Sequence, residues 1–362
     1  MIEHVYIHIP FCIRKCHYCS FVSGFDVNQK TLYINSLLAE IKKKYNNDKL
    51  KTIYFGGGTP SLLSADELNS ILSCFNFDKN TEITLEANPE TLDLEKFSML
   101  RNYGFNRVSL GIQTFDDNIL KLIGRNHNEE KIQLAVETIK NSGFKNISID
   151  LIYGLPNQTI NLWKKDLEKA IQLDIQHISS YGLKIEENST FGKKPPENIP
   201  DDEMQAEMYS FLCTFLKENN FNHYEISNFA KTTFESKHNS SYWENKNYYG
   251  FGLNASGYEG NIRYKNTSNW NEYITNPLQK AEEEILTQQE TLENEIFLAL
   301  RLTRGINIKE INSKYNINFE EKYKKILEKY TKLSLLRIEK NYCALTEDGF
   351  LLSNNIMSEF ID

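Results

Sequence analysis

The stretch that decides the fold is Tyr6-Ile-His-Ile-Pro-Phe-Cys12-Ile-Arg-Lys-Cys16-His-Tyr-Cys19. It begins within a β-rich run at residues 4–9, which predicts a strand, and three cysteines spaced C-x3-C-x2-C follow at once. Three thiolates on one short loop can hold three corners of a cubane iron–sulfur cluster, which leaves the fourth iron without a protein ligand. An open metal position is typical of catalytic sites, whereas structural sites are closed. We therefore interpret Cys12, Cys16 and Cys19 as ligands of a [4Fe–4S] cluster.

Two other uses of these thiols stay open from the residues alone. A structural zinc site takes four nitrogen or sulfur ligands, usually in two paired halves, and His17 would then have to bind beside its neighbour Cys16. The other cysteines, Cys74, Cys213 and Cys343, are isolated in apolar stretches and are predicted to be small core residues. Disulfides are not expected, because they are rare in intracellular proteins. The second alternative is therefore that the three cysteines are structural thiols.

The overall composition is that of a globular protein with an acidic balance. Of the 362 residues, 40% are hydrophobic, which is enough for a sizeable core, and the formal net charge is −8. An acidic chain lacks the basic footprint of nucleic-acid-binding proteins, so no nucleic-acid partner is expected. No apolar run approaches the roughly 18 residues of a membrane-spanning helix, and the N-terminus has no basic-then-apolar targeting pattern. We therefore expect a cytoplasmic protein with one large domain and a smaller one.

Short β-rich runs alternate with longer amphipathic stretches through much of the chain. Strands are predicted near residues 4–9, 52–55, 82–87, 107–111, 147–152, 177–182 and 224–226. Helices are predicted near residues 29–45, 65–75, 94–103, 129–142, 160–173 and 203–219. This repetition predicts parallel strands joined by right-handed crossovers. The predicted fold class is therefore α/β, a partial (β/α)6-type barrel with functional loops at the carboxyl ends of its strands.

Polar motifs recur where the predicted strands end. The second strand is followed by FGGGTPS at 55–61, the third by LEANPE at 85–90 and the fourth by LGIQTF at 110–115, with Arg125 shortly after. The fifth strand carries Asp150 within IDLIYGLP at 149–156. Glycines allow a backbone to approach a ligand closely, although any one of these motifs alone is more often a turn or a cap. Because the motifs recur at one end of successive strands, we predict a single site there.

With these motifs the chain resembles the radical S-adenosylmethionine (SAM) family, in the group of oxygen-independent coproporphyrinogen oxidases and HemW heme chaperones. The resemblance spans essentially the whole chain and rests on YIHIPFC-x3-C-x-YC, FGGGTPS, LEANPE, LGIQTF, IDLIYGLP, YEISNFA and HNSSYW. It implies that the open iron of the cluster chelates the amino and carboxylate groups of SAM. It also implies that one electron then cleaves SAM to methionine and a 5′-deoxyadenosyl radical.

The resemblance implies roles for single residues of this sequence. Cys12, Cys16 and Cys19 would hold the cluster, and Arg125 would pair with the SAM carboxylate, where a guanidinium fork suits planar recognition. The other implied SAM contacts are the backbone of Gly57, Gly58 and Thr59 at the amine, Glu86 and Gln113 at the ribose or nearby polar atoms, Asp150 on the nucleoside side, and Tyr6 and Tyr18 beside the cluster loop. For the two tyrosines, aromatic packing beneath the loop is the alternative.

Two departures separate the chain from the porphyrinogen oxidases. Phe21 stands two positions after the third cysteine, where those oxidases typically have another cysteine, and their substantial N-terminal segment has no counterpart here. The run His238-Asn-Ser-Ser-Tyr242-Trp243 instead resembles the HNxxYW signature of HemW-type proteins, which is associated with heme binding or transfer. His238 would then ligate the heme iron, with Tyr242 and Trp243 as apolar faces for the macrocycle. A structural hydrogen bond or a lid contact over the cofactor site are the other uses of His238.

The chain changes character near Thr287. Helices near residues 293–302, 308–314 and 319–330, a hairpin of 333–339 with 343–346, and a final helix predict a winged-helix-like domain. Its charges are mixed in sign, which favours packing or partner docking over nucleic-acid binding. We predict three segments, namely a radical-SAM partial barrel at 1–235, a connecting segment with the HNxxYW motif at 236–286, and the C-terminal domain at 287–362.

The predicted function is that of a HemW-type radical-SAM protein that binds heme and delivers it to acceptor heme proteins. The cofactors are a [4Fe–4S] cluster and SAM, with heme as cargo. The alternatives are an oxygen-independent coproporphyrinogen III oxidase, which converts propionates to vinyl groups, and a radical-SAM enzyme that modifies heme. Any version that cleaves SAM needs a flavodoxin- or ferredoxin-like electron donor. The chaperone version needs an acceptor heme protein, which is compatible with peripheral membrane association.

Overall fold

The computed structural model describes residues 1–361 of the chain, which form two compact units. The first unit comprises Met1–Leu212 and Asn247–Glu284, and the second comprises Cys213–Lys246 and the chain from Ile285 onward. The predicted boundaries at 235/236 and 286/287 stay a prediction, because compactness groups residues by contact and not by role.

The described residues contain both strands and helices along nearly their whole length. The strands are β1 His4–Ile9, β2 Thr52–Gly57, β3 Glu82–Ala87, β4 Arg107–Gln113, β5 Asn146–Tyr153, β6 His177–Gly182, β7 Asn222–Glu225, β8 Asn228–Ala230, β9 Tyr249–Phe251, β10 Ser256–Glu259, β11 Ile262–Asn266, β12 Lys280–Ile285, β13 Ile306–Asn307, β14 Leu336–Glu339 and β15 Tyr342–Leu345. The helices are α1 Lys30–Lys44, α2 Ala65–Leu72, α3 Leu94–Tyr103, α4 Asp117–Leu122, α5 Glu129–Asn141, α6 Ile160–Gln172, α7 Thr190–Lys193, α8 Asp202–Glu218, α9 Lys237–Trp243, α10 Trp270–Thr275, α11 Gln288–Ala299, α12 Ile308–Tyr315, α13 Phe319–Lys322, α14 Lys324–Lys332, α15 Glu347–Leu351 and α16 Ser353–Ser358.

Six strands of the first unit, β1 to β6, run parallel and lie side by side in sequential order. Strand β9 pairs in parallel with the free edge of β1. At least one helix separates each pair of consecutive strands, as parallel crossovers require. The predicted α/β fold with a parallel sheet is therefore confirmed. The first six of the seven predicted strands match β1 to β6 to within two residues at either end.

One face of these parallel strands is polar although it is buried. Successive side chains of a strand point to opposite faces, and a parallel sheet covered on both sides is ordinarily apolar on both. Here one face carries buried polar side chains, namely His4, His8, Thr52, Glu82, Thr84, Arg107, Ser109, Ser148, His177 and Ser179. Such a face is suited to surround a polar ligand rather than to pack against a helix.

Several helices of the first unit begin at side chains that cap them. Ser64 Oγ accepts a hydrogen bond from the Glu67 amide, and the Glu67 carboxylate accepts one from the Ser64 amide, so the two form a capping box at the start of α2. Asn128 and Thr159 accept hydrogen bonds from the third amides of α5 and α6. These caps fix where each helix starts, and therefore the length of the loop that follows each strand.

The second unit combines a short hairpin, helices and a three-stranded sheet. Strands β7 and β8 pair antiparallel, and β15 lies between β13 and β14 with antiparallel pairing on both sides. Lys340 and Asn341 join β14 to β15 with φ values of 50° and 70°, as a tight hairpin turn requires. The predicted C-terminal helices and two-stranded wing are thus present.

Three details differ from the sequence prediction. The strand expected near 224–226 is β7, which belongs to an antiparallel hairpin and not to the parallel repeat. Strand β9 was not predicted, because it is only three residues long and pairs with a strand at the other end of the sequence. The single helix expected at 319–330 is two helices, α13 and α14, separated at Tyr323.

None of the helices in residues 1–361 combines the length and the apolar character needed to cross a membrane.

Candidate functional site

The loop that follows β1 carries three free cysteines, Cys12, Cys16 and Cys19, each half-buried. Two backbone hydrogen bonds shape it: the Cys19 amide donates to the Cys16 carbonyl at 3.2 Å, and the His17 amide donates to Ile123 at 3.0 Å. The His17 ring lies 2.8 Å from the Leu122 carbonyl through Nδ1. His17 thus anchors the cluster loop to the segment after β4. Within residues 1–361 no three His, Cys, Asp or Glu side chains are grouped to hold a single metal ion.

The environment of the thiols is set by burial and by neighbouring polar groups. Burial raises the pKa of the Cys19 thiol, and the nearby Cys16 and Cys12 sulfurs raise it further, while the Phe21 amide and the Lys15 ammonium oppose the shift. Arg125 donates to Cys16 Sγ at 3.5 Å. Charge-assisted donors of this kind stabilise a thiolate, which is the form that binds metal.

The glycine run after β2 packs directly against the cluster loop. A Cβ on Gly58 would lie 2.6 Å from the Phe11 carbonyl and 3.1 Å from Cys12 Sγ, and one on Gly57 would lie 2.6 Å from the His8 ring. Gly57 also has a φ of 111°, which favours glycine. The Gly58 amide donates to Ile9 at 2.8 Å. Only glycine at both positions allows the backbone to lie this close to the cysteines.

Strand β3 places Glu86 at the edge of this loop. Its carboxylate accepts a hydrogen bond from the Tyr54 hydroxyl at 2.8 Å and one from the Gly57 amide at 3.1 Å. Burial raises the pKa of Glu86 to about 7, and the nearby Asp150 carboxylate adds to the rise. Burial likewise raises the pKa of Asp150, to which Ser109 donates at 3.1 Å. Glu86 and Asp150 are therefore neighbouring carboxyls that hold protons more readily than exposed ones do.

Arg107, on the same buried face, was not singled out by the sequence. Its side chain is only 1% exposed, and its Nε has no hydrogen-bond partner among the described residues. Its guanidinium counteracts the upward pKa shifts of Glu86 and Asp150 and lowers the pKa of His177 beyond the effect of burial. The sequence signal was an arginine at the first position of a predicted strand, and a buried arginine is rare unless its charge is compensated.

Tyr6 and His8 form a hydrogen-bonded pair on β1. The Tyr6 hydroxyl lies 3.1 Å from His8 Nδ1, and His8 Nε2 lies 2.9 Å from the Val22 carbonyl. A carbonyl only accepts, so Nε2 carries the hydrogen and Nδ1 accepts from the tyrosine. Burial lowers the pKa of His8, which keeps the ring neutral. Tyr18, on the cluster loop, has its pKa raised by burial and by the Cys16 sulfur, to which it is hydrogen-bonded.

Arg125 lies across the end of β4. Its guanidinium donates to Asn88 Oδ1 at 2.8 Å and to the Gly111 carbonyl, besides Cys16. Burial alone would lower the pKa of Arg125, but Tyr18 and Cys16 raise it more strongly, so it stays charged. Gln113, two residues after Gly111, has a φ of 69° beside a β-bulge. Bulges and left-handed residues that are not glycine occur often at functional sites, because they redirect a side chain.

A cleft opens beside Cys16. Its lining is mostly polar and includes two of the predicted SAM residues, Thr59 and Arg125. The other lining residues are Ile13, Arg14, Asn88, Glu90, Thr91, Gly124 and Asn126. The cleft therefore presents guanidinium groups and a carboxylate to a ligand, which suits a zwitterion.

A Glu–His pair at this cleft is a second feature that the sequence did not reveal. His127 Nε2 lies 3.1 Å from the Ile112 carbonyl and so carries a hydrogen, while His127 Nδ1 faces Glu90 Oε2 at 3.5 Å. Neither of the two facing atoms has another partner in the described structure. Burial raises the pKa of Glu90, but His127 and Arg125 outweigh it and the net shift is downward. Glu90 and His127 therefore face one another beside the cleft, and the imidazole favours the charged form of the carboxylate.

The three predicted heme residues lie in the second unit, on α9. His238 is only 1% exposed, and its Nε2 lies 2.8 Å from the hydroxyl of the half-buried Tyr242. The Arg301 guanidinium lies 4.5 Å from the centre of the Trp243 ring. The predicted cluster and SAM residues, by contrast, all belong to the first unit.

Family models match both parts of the chain. Residues 6–170 match the radical SAM superfamily, and residues 286–352 match the HemN C-terminal domain. The chain is 39% identical to the heme chaperone HemW of Lactococcus lactis over 98% of its own length and 96% of that protein. It is 36% identical to the heme chaperone HemW of Bacillus subtilis over 99% of both. The chain belongs to the HemW family of radical SAM proteins.

A solved structure supports the fold of this HemW-family chain. Coproporphyrinogen III oxidase (HemN) of Escherichia coli, described as a radical SAM enzyme, superimposes with a TM-score of 0.87 over 99% of this chain and 90% of that one. At 23% identity the likeness shows the fold alone.

Membership of the radical SAM superfamily implies a [4Fe–4S] cluster and SAM, and the residues at the cleft fit them. Three free, half-buried thiols supply the soft ligands that iron–sulfur clusters use. The missing Cβ of Gly58 leaves room against Cys12, and Arg125 supplies a donor to Cys16. The orphaned polar atoms Arg125 Nε and Glu90 Oε2 lie on residues that line the cleft, where a polar ligand would satisfy them.

Proposed function

We propose that this protein binds heme and hands it to acceptor heme proteins, with a radical-SAM unit that holds a [4Fe–4S] cluster and SAM. The observation that carries the proposal is end-to-end similarity to proteins named heme chaperones, at 39% identity over 98% of this chain and 96% of the relative. Similarity over nearly the whole of both chains supports a shared role more strongly than a shared fold does. A cytoplasmic location is part of the proposal.

Cys12, Cys16 and Cys19 are the proposed cluster ligands. When bound, the cluster would supply an open iron, which would chelate the amino and carboxylate groups of SAM. It would also supply a single electron. Changing all three cysteines to alanine should abolish iron and sulfide binding while the fold persists, because these thiols are half-buried on a loop and not in the core. Cys74→Ala is the control and should retain the cluster, because Cys74 is exposed and not, as the sequence predicted, a core residue, whereas Cys213 and Cys343 are buried. Full iron content in the first variant would overturn the assignment.

The proposed SAM contacts converge on the cleft and the buried polar face. Arg125 would hold the SAM carboxylate, and Gly57, Gly58 and Thr59 would meet the amine through backbone groups. An ammonium only donates, and the amides of Gly58 and Thr59 already donate to Ile9 and Phe11, so carbonyl groups are the expected acceptors. The contacts proposed at the ribose and base are Glu86, Gln113 and Asp150, with Tyr6 and Tyr18 beside the cluster loop.

His238, Tyr242 and Trp243 are the proposed heme contacts in the second unit. His238 is buried and shares a hydrogen bond with Tyr242, so ligation of iron by the imidazole requires that this bond be exchanged. The positive charge of Arg301 beside Trp243 suits a heme propionate.

Heme titration followed by transfer tests this function. The cluster-loaded protein is titrated with hemin anaerobically, and its heme absorbance is followed after an apo-heme protein is added. We expect about one heme per chain, loss of binding in His238→Ala, and passage of heme to the acceptor. His223→Ala is the control, because His223 is the other imidazole of the second unit and is half-buried, whereas His238 is buried. Heme binding equal in all three proteins would remove His238 from the site.

Turnover separates the chaperone from an enzyme. The same reduced protein is given SAM with coproporphyrinogen III or with heme, and the tetrapyrroles are separated by chromatography. The proposal expects both to be recovered unchanged. Repeated conversion to protoporphyrinogen would make the protein an oxidase, and a modified heme would make it a heme-modifying radical enzyme.

A further inference from the structure

The cluster loop exposes apolar side chains that do not contribute to the core. Ile13 is 62% exposed and Phe21 is 63% exposed. Ile13 lies between Cys12 and Cys16, and Phe21 lies two positions after Cys19. The two residues between Ile13 and Cys16, Arg14 and Lys15, are exposed as well. Apolar side chains that remain in water beside a functional group are typical of interaction surfaces.

The same loop is basic within an acidic protein. No Asp or Glu occurs between Glu3 and Asp26, although the chain has 49 acidic residues among 362 and a net charge of −8. An acidic partner is therefore repelled by the protein as a whole and attracted at this loop. Local charge complementarity of this kind selects a partner and orients its approach.

The exposed residues adjoin the proposed cluster ligands. Lys15 immediately precedes Cys16, and Phe21 lies two positions after Cys19. Ile13 and Arg14 line the cleft beside Cys16. A protein seated on these four residues thus touches the segment that holds the proposed cluster ligands.

We propose that Ile13, Arg14, Lys15 and Phe21 form the docking surface for an acidic one-electron carrier protein that reduces the cluster. We refer to these four residues as the carrier surface. Apolar contacts from Ile13 and Phe21 hold the carrier, while Arg14 and Lys15 attract its acidic face. The electron then reaches the cluster through the loop that holds the three cysteines and does not travel through the rest of the first unit.

The transfer balances without bond changes. One electron leaves the carrier, which is thereby oxidised, and enters the cluster, which is thereby reduced. This inference rests on the part of the proposed function in which the cluster accepts an electron. A protein carrier is distinguished from a small reductant because only the carrier needs a docking surface.

The test measures reduction of the cluster by stopped-flow absorbance with a reduced acidic flavodoxin as the carrier. The double variant Lys15→Glu with Phe21→Ser changes the carrier surface without touching a residue that lines the cleft. We expect its second-order rate constant to fall about tenfold or more at low salt, with a flatter dependence on ionic strength, because attraction acts on the association rate. Reduction by dithionite should stay within about twofold of the unchanged protein, since a small ion needs no docking.

The matched control is Lys43→Glu with Leu134→Ser, which has the same net charge. Lys43 is an exposed lysine of α1, and Leu134 is 62% exposed on α5. This control should keep the carrier rate within about twofold, because charge reversal far from the contact alters association little. An equal loss in the control, an equal loss with dithionite, or no loss at all overturns the carrier surface.

Two further outcomes separate this inference from the proposed function. If dithionite fails to reduce the cluster of the unchanged protein, the reductive part of the proposed function is wrong and the carrier surface falls with it. If Lys15→Glu with Phe21→Ser loses heme binding and keeps the carrier rate, the surface belongs to the heme cargo and the inference is wrong. We expect heme affinity to be unchanged.

Discussion

Glu40 and Glu86 are both buried carboxylates of the first unit, yet they differ in how many hydrogen bonds they accept. Glu40, on α1, accepts four: from Lys44 at 2.9 Å, Asn266 at 2.8 Å, the Gly252 amide at 2.9 Å and Tyr273 at 2.8 Å. All four donors are protein groups: Lys44 belongs to α1 itself, and the other three join α1 to the segment 247–284. The acceptor capacity of this carboxylate is therefore saturated.

Glu86 accepts two hydrogen bonds, from Tyr54 and from the Gly57 amide. An ionised carboxylate has about four acceptor sites, so roughly half of this capacity is left for a ligand. Burial raises the pKa of both residues, so the shift alone does not tell them apart. The difference teaches that the number of protein donors distinguishes a structural carboxylate from one that serves a site.

The largest expected effect is at Glu40. Changing Glu40→Ala leaves the Lys44 ammonium and three other buried donors without their acceptor, so we expect the free energy of unfolding to fall by about 3–5 kcal/mol. Urea denaturation of the cluster-free protein measures this. Glu40→Gln keeps the shape and one acceptor oxygen and should cost less than Glu40→Ala. If Glu40→Ala lowered the free energy of unfolding by less than about 1 kcal/mol, the four hydrogen bonds would not mark Glu40 as a structural carboxylate.

A smaller effect, of a different kind, is expected at Glu86. Glu86→Gln should weaken SAM binding about tenfold, which corresponds to about 1.4 kcal/mol, because a charged acceptor facing the ligand is replaced by a neutral one. Stability should change little, since the amide oxygen can still accept from Tyr54 or Gly57. Equilibrium dialysis with SAM measures the affinity. Glu82→Gln, a buried carboxylate on the same strand face near its other end, is the matched control and should bind SAM normally.

The parallel strands and the polar groups at their ends were predictable, whereas close packing and pairing were not. Polar and apolar residues alternate over 82–87, and the strands predicted there and at 177–182 have the bounds of β3 and β6. From the sequence alone, the glycine run at 56–58 predicts only a turn. Glycine is needed there because the His8 ring and Cys12, which are far away in the sequence, pack against this backbone. Arg107, His127 and Glu90 act through neighbours on other strands and loops, so no local pattern marks them.

The pH dependence of stability sharpens the comparison further. The pKa of Glu86 in the folded protein is raised to about 7, against about 4.3 for an unperturbed glutamate. The folded state then binds this proton more tightly, so the stabilisation is fully present below about pH 4 and is lost as the pH rises towards 7. Relative to Glu86→Gln, the unchanged protein should lose about 1–2 kcal/mol over that range, a figure reduced for partial exposure. Urea midpoints at several pH values measure the difference, and a constant difference would contradict the raised pKa.

The smallest expected effect concerns Glu90 and His127 at the cleft. The downward shift of the Glu90 pKa means that its contribution is present at neutral pH and is lost as the pH falls through the folded pKa. His127→Gln removes the imidazole nitrogen that faces Glu90, so we expect a loss of roughly 0.5–1 kcal/mol near pH 7 and less below pH 4. A double-mutant cycle with Glu90→Gln isolates the pair from the packing of the ring. Because Arg125 faces the same cleft, SAM affinity should fall only about twofold to threefold in His127→Gln. Additive losses in the cycle would mean that the two side chains are not coupled, and that Glu90 serves the ligand alone.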